Sequence, residues 1–105
     1  MNYDKVAKTK RIRGVILEAL QSNHDEQKSR FDSSMLWSFL VRGLGFDISE
    51  NELKTVLQDL SGRGYIKFVE IKDQRKGLYW IVQIEMLPKG RDLLEGTISD
   101  SAVEV

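Results

Sequence analysis

Ile48-Ser49-Glu50-Asn51-Glu52-Leu53-Lys54-Thr55-Val56-Leu57-Gln58-Asp59-Leu60-Ser61-Gly62-Arg63-Gly64-Tyr65-Ile66 is the stretch whose reading fixes the rest of the chain. Ser49 followed three residues later by Glu52 is a capping box: each side chain can satisfy a backbone amide that the first helical turn leaves unpaired, with Ile48 placed as a hydrophobic staple. Leu53, Val56, Leu57 and Leu60 then fall at i, i+3, i+4 and i+7, so one face of the helix is apolar. Asn51, Thr55 and Gln58 occupy the opposite face, with Lys54 and Asp59 flanking them. Gly62 or Gly64 ends the helix.

Upstream, Ile12, Val15, Ile16, Ala19 and Leu20 recur at helical spacing and predict a first helix over residues 5–22. Residues 23–30 are polar and aperiodic, an exposed loop. Asp32 or Ser33 then caps a second helix that turns Met35, Leu36, Phe39 and Leu40 inward and stops near Gly43 to Gly45. Downstream, residues 65–72 and 78–84 are rich in aromatic and β-branched side chains and flank Asp73-Gln74-Arg75-Lys76-Gly77, which is turn material. The pattern is a β-hairpin whose second strand carries Leu78, Trp80, Val82 and Ile84 on one face and Tyr79, Ile81 and Gln83 on the other. At least one of these faces must be covered by helices, and the pattern assigns Trp80 to the core. Pro88 starts a short last helix with Leu93 and Leu94 as its apolar residues. Residues 96–105 read as a flexible tail.

The order is α+β: three helices, a two-stranded hairpin and a short C-terminal helix. With a capped third helix running straight into a hairpin, it resembles the winged helix-turn-helix family over residues 5–95. Ile48-Ser49, Glu52-Leu53, Leu57, Leu60 and Gly64-Tyr65-Ile66 carry the likeness. Leu87-Pro88-Lys89-Gly90-Arg91-Asp92-Leu93-Leu94-Glu95-Gly96 looks like the segment after the wing in bacterial regulators of that kind. The small size, the Gly45-to-Ser49 junction and the short tail are also similar to small winged-helix proteins of Mu-like prophages. The resemblance implies one domain over residues 1–95. It also implies DNA binding by a transcriptional regulator or a phage-associated protein, with the third helix in the major groove and the wing on the backbone.

On that reading Asn51 and Gln58 suit adenine, Thr55 a thymine methyl or a phosphate, Lys54 guanine or backbone, and Ser49 a phosphate at the helix start. Lys72, Arg75 and Lys76, with Lys67 nearby, place positive charge at the hairpin tip, and Lys10 and Arg11 belong to a basic group with Lys5, Lys8 and Arg13. Each feature has a plainer explanation. Any solvated helix shows such a face, lysines protect a sheet edge, and a helix start is merely exposed. Glu50, Glu52 and Asp59 on the third helix oppose phosphate contact. A protein-interaction adaptor is the alternative function, with Trp37, off the apolar stripe of the second helix, as its candidate contact.

Composition narrows the classes further. At 105 residues and 41% apolar content there is room for one core. Sixteen basic and sixteen acidic side chains cancel, but residues 1–94 carry 16 basic against 13 acidic groups. Without cysteine there is neither a disulfide framework nor a thiolate metal site. His24, the single histidine, stands among carboxylates and makes no metal site, and no catalytic triad or phosphate-cradling loop appears. The expectation is therefore a non-enzymatic protein without cofactor or metal, cytoplasmic and off the membrane. It binds double-stranded DNA, with a protein partner or a weak homodimer through the first helix or amino terminus as further options.

Overall fold

The computed structural model describes residues 3–25 and 30–105. Helix α1 runs Tyr3–Asp25, α2 Ser33–Ser38, α3 Glu50–Gly62 and α4 Pro88–Glu95, and strands β1 (Ile66–Asp73) and β2 (Leu78–Met86) form an antiparallel hairpin. The layout is α+β in the anticipated order. Asn23 and His24, expected in a loop, belong to the last turn of α1; residues 26–29 of that expected loop lie outside the described residues.

The core forms where the apolar stripes of the elements meet. Ile12, Ile16, Leu17 and Leu20 of α1 pack with Leu36 and Leu40, with Leu53, Leu57 and Leu60 of α3, and with Ile66, Ile81 and Ile84 of the hairpin. Full burial of such side chains stabilises by about 1.5–3 kcal/mol each before chain entropy is subtracted. Ile48, the expected staple, is buried immediately before α3.

Two of the anticipated α2 contacts are corrected. Met35 is 50% and Phe39 39% exposed, while Leu36 and Leu40 are sealed. Asp32 caps the helix by accepting from Met35 N at 2.7 Å. The inward stripe instead runs through Ser33, Leu36, Trp37 and Leu40. Trp37 is half-buried against the core and donates its indole N–H to Ile48 O at 2.8 Å, which ties α2 to the entry of α3. From Phe39 to Gly43 the helix widens into one π-type turn, closed by Leu44 N on Phe39 O at 3.1 Å. Such a turn inserts a residue and re-phases everything after it.

The hairpin corrects the placement of Trp80 and its face. Ile71 pairs with Trp80 and Val69 with Val82, yet the register then slips, so that Lys67 faces Glu85. The extra residue is on β2, where Gln83 sits at φ 52°. This bulge reverses the alternation. Tyr79 and Ile81 face the helices below it and Ile84 above it, leaving Leu78 and Trp80, at 38% exposure, on the outer side with Val69 and Ile71. Ile84 N donates to Phe31 O at 3.0 Å and Ile81 N to Ser33 Oγ at 3.4 Å, which fastens β2 to the segment entering α2.

Of residues 96–105, expected as a flexible tail, the stretch 102–104 lies against α1. Val103 is only 6% exposed, Glu104 N donates to Lys10 O at 3.1 Å, and Arg13 Nη1 donates to Ala102 O at 2.9 Å. The tail reaches this close because Gly14 has no side chain beneath it. Leu87 N on Tyr65 O, at 2.8 Å, sets α4 against the base of the hairpin.

Candidate nucleic-acid interface

The start of α3 is fixed by the anticipated box: Glu52 N donates to Ser49 Oγ at 3.1 Å and Ser49 N to Glu52 Oε1 at 3.5 Å. Its four apolar residues are buried, which forces Asn51, Thr55 and Gln58 outward in one exposed line. Thr55 Oγ1 donates back to Asn51 O at 3.1 Å, a local bond that holds its methyl and hydroxyl in place along the ridge. Ser49 is exposed, but its oxygen already serves the cap.

Tyr79 joins the ridge to the hairpin. Gln58 Nε2 donates to Tyr79 Oη at 3.0 Å, Lys54 Nζ to Tyr79 O at 2.7 Å, and the Lys54 and Lys72 ammonium groups lie 5.4 and 5.5 Å from the Tyr79 ring centre. Each ammonium at that distance is attracted by the ring's quadrupole. The structure thus brings Lys54, Gln58 and Lys72 into one cluster around a tyrosine to which the sequence pattern assigns no role. The parity of β2 was the available signal, since it puts Tyr79 with Ile81 on the side facing α3.

At the tip, Asp73 Oδ1 accepts from Arg75 N at 3.1 Å and Lys76 N at 3.3 Å, and Gly77 takes φ 64° to close the turn. Arg75 and Lys76 project from it, exposed. Lys72 also pairs with Glu70 at 3.4 Å, and Lys67 with Glu85 at 3.4 Å.

The basic group on α1 is engaged along the segment that leads into α3 and along the tail. Arg11 lies 5.8 Å over the Phe46 ring, Lys8 donates to Asp47 O, and the carbonyl of Lys10 holds the tail. Arg13 is structural: its Nε sits 3.0 Å from Asp59 Oδ2, an ion pair off the hydrogen-bond direction.

Of the three acidic residues expected to oppose phosphate contact, Glu50 and Glu52 stay exposed at the start of α3, whereas Asp59 is turned off the ridge into a network on the α1 side. It accepts from Arg63 Nε at 2.9 Å. Arg63 reaches Asp100 at 3.3 Å, and Asp100 accepts from Tyr65 Oη at 2.6 Å and from Ala102 N at 2.8 Å. Burial, reinforced by the Asp100 carboxylate, pushes the Tyr65 hydroxyl up to about 12. The bonds from Tyr65 and from Ala102 N hold Asp100 below the usual carboxylate value, and the bond to Asp59 raises Arg63. Among the described residues no histidine or carboxylate cluster could hold a metal ion, and no helix is long and apolar enough to cross a membrane.

No protein-family model, curated protein or solved structure matches the chain.

Proposed function

We propose that the protein binds duplex DNA in the manner of a winged helix-turn-helix domain, with α3 in the major groove and the hairpin tip on the backbone, as a transcriptional regulator or phage-associated DNA-binding protein. One observation carries this reading: Asn51, Thr55 and Gln58 form an exposed ridge on a helix anchored by four buried residues, and Tyr79 couples that ridge to a hairpin ending in Arg75 and Lys76. A major groove about 12 Å wide admits one such helix. Asn51 supplies the amide for an adenine edge, and Gln58 can trade its bond to Tyr79 for another. Lys72, Arg75 and Lys76 supply backbone contacts, with Lys54 steadying the ridge.

Fluorescence anisotropy on mixed-sequence duplexes tests the proposal. Three or four phosphate contacts give a slope of log affinity against log salt of about −3 to −4. Replacing both Arg75 and Lys76 with Glu should abolish binding at low salt. A slope near zero, or wild-type affinity in that variant, removes the reading.

A second reading, a protein-interaction surface, is favoured by the outer hairpin face, where Val69, Ile71, Leu78 and Trp80 are all exposed. Trp37 is not its contact, because its indole is committed to Ile48 O. The double variant Ile71→Ser, Trp80→Ser separates the two. Duplex binding that the variant keeps within about twofold supports recognition by α3, since phosphate and base-edge contacts carry it; a wild-type chain that binds no duplex at low salt supports the outer face.

A further inference from the structure

A shallow groove of about 430 Å³ runs along the outward side of α1, remote in function from the ridge of α3. Val15 and Ala19 of α1 line it together with Phe39, Leu44 and Phe46. Phe39 and Leu44, at 39% and 49% exposure, are large apolar side chains left partly open to solvent. Arg11 closes one end and Glu18 lies seven residues along the same stripe. Arg11 is held by stacking on Phe46, and Glu18 is exposed without a described partner.

The order of these charges selects the occupant. Seven residues are two helical turns, about 10.5 Å along the axis. A two-fold axis crossing α1 near Val15 lays a second α1 antiparallel on the first, bringing Arg11 of each copy against Glu18 of the other. The apolar stretch of Val15 and Ala19 then lies between the two ion pairs, and each copy's Phe39 and Leu44 flank the opposing helix. This is the self-complementarity that an isologous contact requires. A foreign helix would need the reversed charge spacing, whereas this chain's own α1 has it by construction.

We propose that this face of α1 is a homodimer interface, with α1 antiparallel to its copy and Arg11 paired with Glu18 across the axis. One helix pair with these flanking apolar residues falls at the small end of specific interfaces, below about 1,200 Å² in total, so the dimer is weak and forms at high concentration.

Sedimentation velocity from about 10 µM to 1 mM tests it, a range that brackets a dissociation constant near ~100 µM. The mean mass should rise from the 12.1 kDa of one chain toward twice that value. Arg11→Glu alone and Glu18→Arg alone each set like charges against each other and should weaken the dimer about tenfold or more. An equimolar mixture of the two variants should dimerise again, because each then meets its opposite. Circular dichroism melts matching the wild type establish that both variants are folded. A chain that stays monomeric throughout, a dimer indifferent to Glu18→Arg, or a mixture that fails to associate overturns the interface.

Discussion

Gly14→Ala tests how the last ten residues are held, and its effect can be worked out from the contacts. A Cβ on residue 14 would stand 1.7 Å from Glu104 O and 2.8 Å from Glu104 C, where ordinary contact begins at 3.4 Å. The obstacle is backbone, and α1 is pinned by Ile12, Ile16 and Leu17 in the core, so the tail must yield. Its retreat breaks the bond from Glu104 N to Lys10 O, about 1 kcal/mol, and the charged bond from Arg13 to Ala102 O, about 2 kcal/mol. Exposing Val103 costs up to about 2 kcal/mol more. Against this, alanine in a helix interior gains about 1 kcal/mol over glycine. The net loss is roughly 3–4 kcal/mol if the tail leaves entirely, measurable by urea unfolding, with amide exchange at Glu104 accelerated out of proportion to the global change. A variant as stable as wild type, with Glu104 equally protected, would show that the tail does not rest on Gly14.

The Tyr65–Asp100 contact gives the fold two pH limits. The Tyr65 hydroxyl is raised from 10.0 to about 12, so its contribution is complete below pH 10 and is lost as pH rises through 12; ultraviolet titration should show the Tyr65 hydroxyl ionising near 12, and Asp100→Asn should bring it down. Asp100 is held below its ordinary 3.8, so its contribution is complete above that value and disappears as pH falls through the lower folded one; acid melts should show this slope in the wild type and not in Asp100→Asn. Ser49→Ala removes the acceptor for Glu52 N and should cost about 1 kcal/mol in chemical denaturation; no loss would mean the box is idle. Gln83→Gly places at φ 52° the residue that conformation suits and should stabilise by about 1 kcal/mol, whereas a destabilised variant would indicate that the Gln83 side chain, not the bulge, is needed.

What the sequence discloses here is local. The Ser49–Glu52 box, the stripe of α3 and the Asp73–Gly77 turn depend on residues a few positions apart, and all three are as the spacing predicts. The exposure of Asn51, Thr55 and Gln58 follows from that stripe. Features that need long-range partners are not legible. Trp80 and Ile81 are adjacent apolar strand residues, and only the bulge at Gln83, a conformation glutamine does not advertise, decides which faces inward. Met35 and Phe39 form an apolar pair at i and i+4 as plausible as Trp37 with Leu40, and Ile48 O, eleven residues on, selects Trp37. Likewise the tail is polar by composition, yet Val103 finds a berth over Gly14 and Asp100 finds Tyr65. For the site, the charge pattern identifies basic residues without saying which are already engaged: Arg11, Arg13 and Lys54 each have an internal partner.

Heteronuclear NMR of the ¹⁵N-labelled chain titrated with duplex DNA tests the proposed role of α3 most directly. Shifts are expected at Asn51, Lys54, Thr55 and Gln58, with Tyr79 and the tip residues Arg75 and Lys76 moving in the same titration. Shifts confined to Ile71 and Trp80 or to the groove of α1, or none at all at low salt, would contradict it.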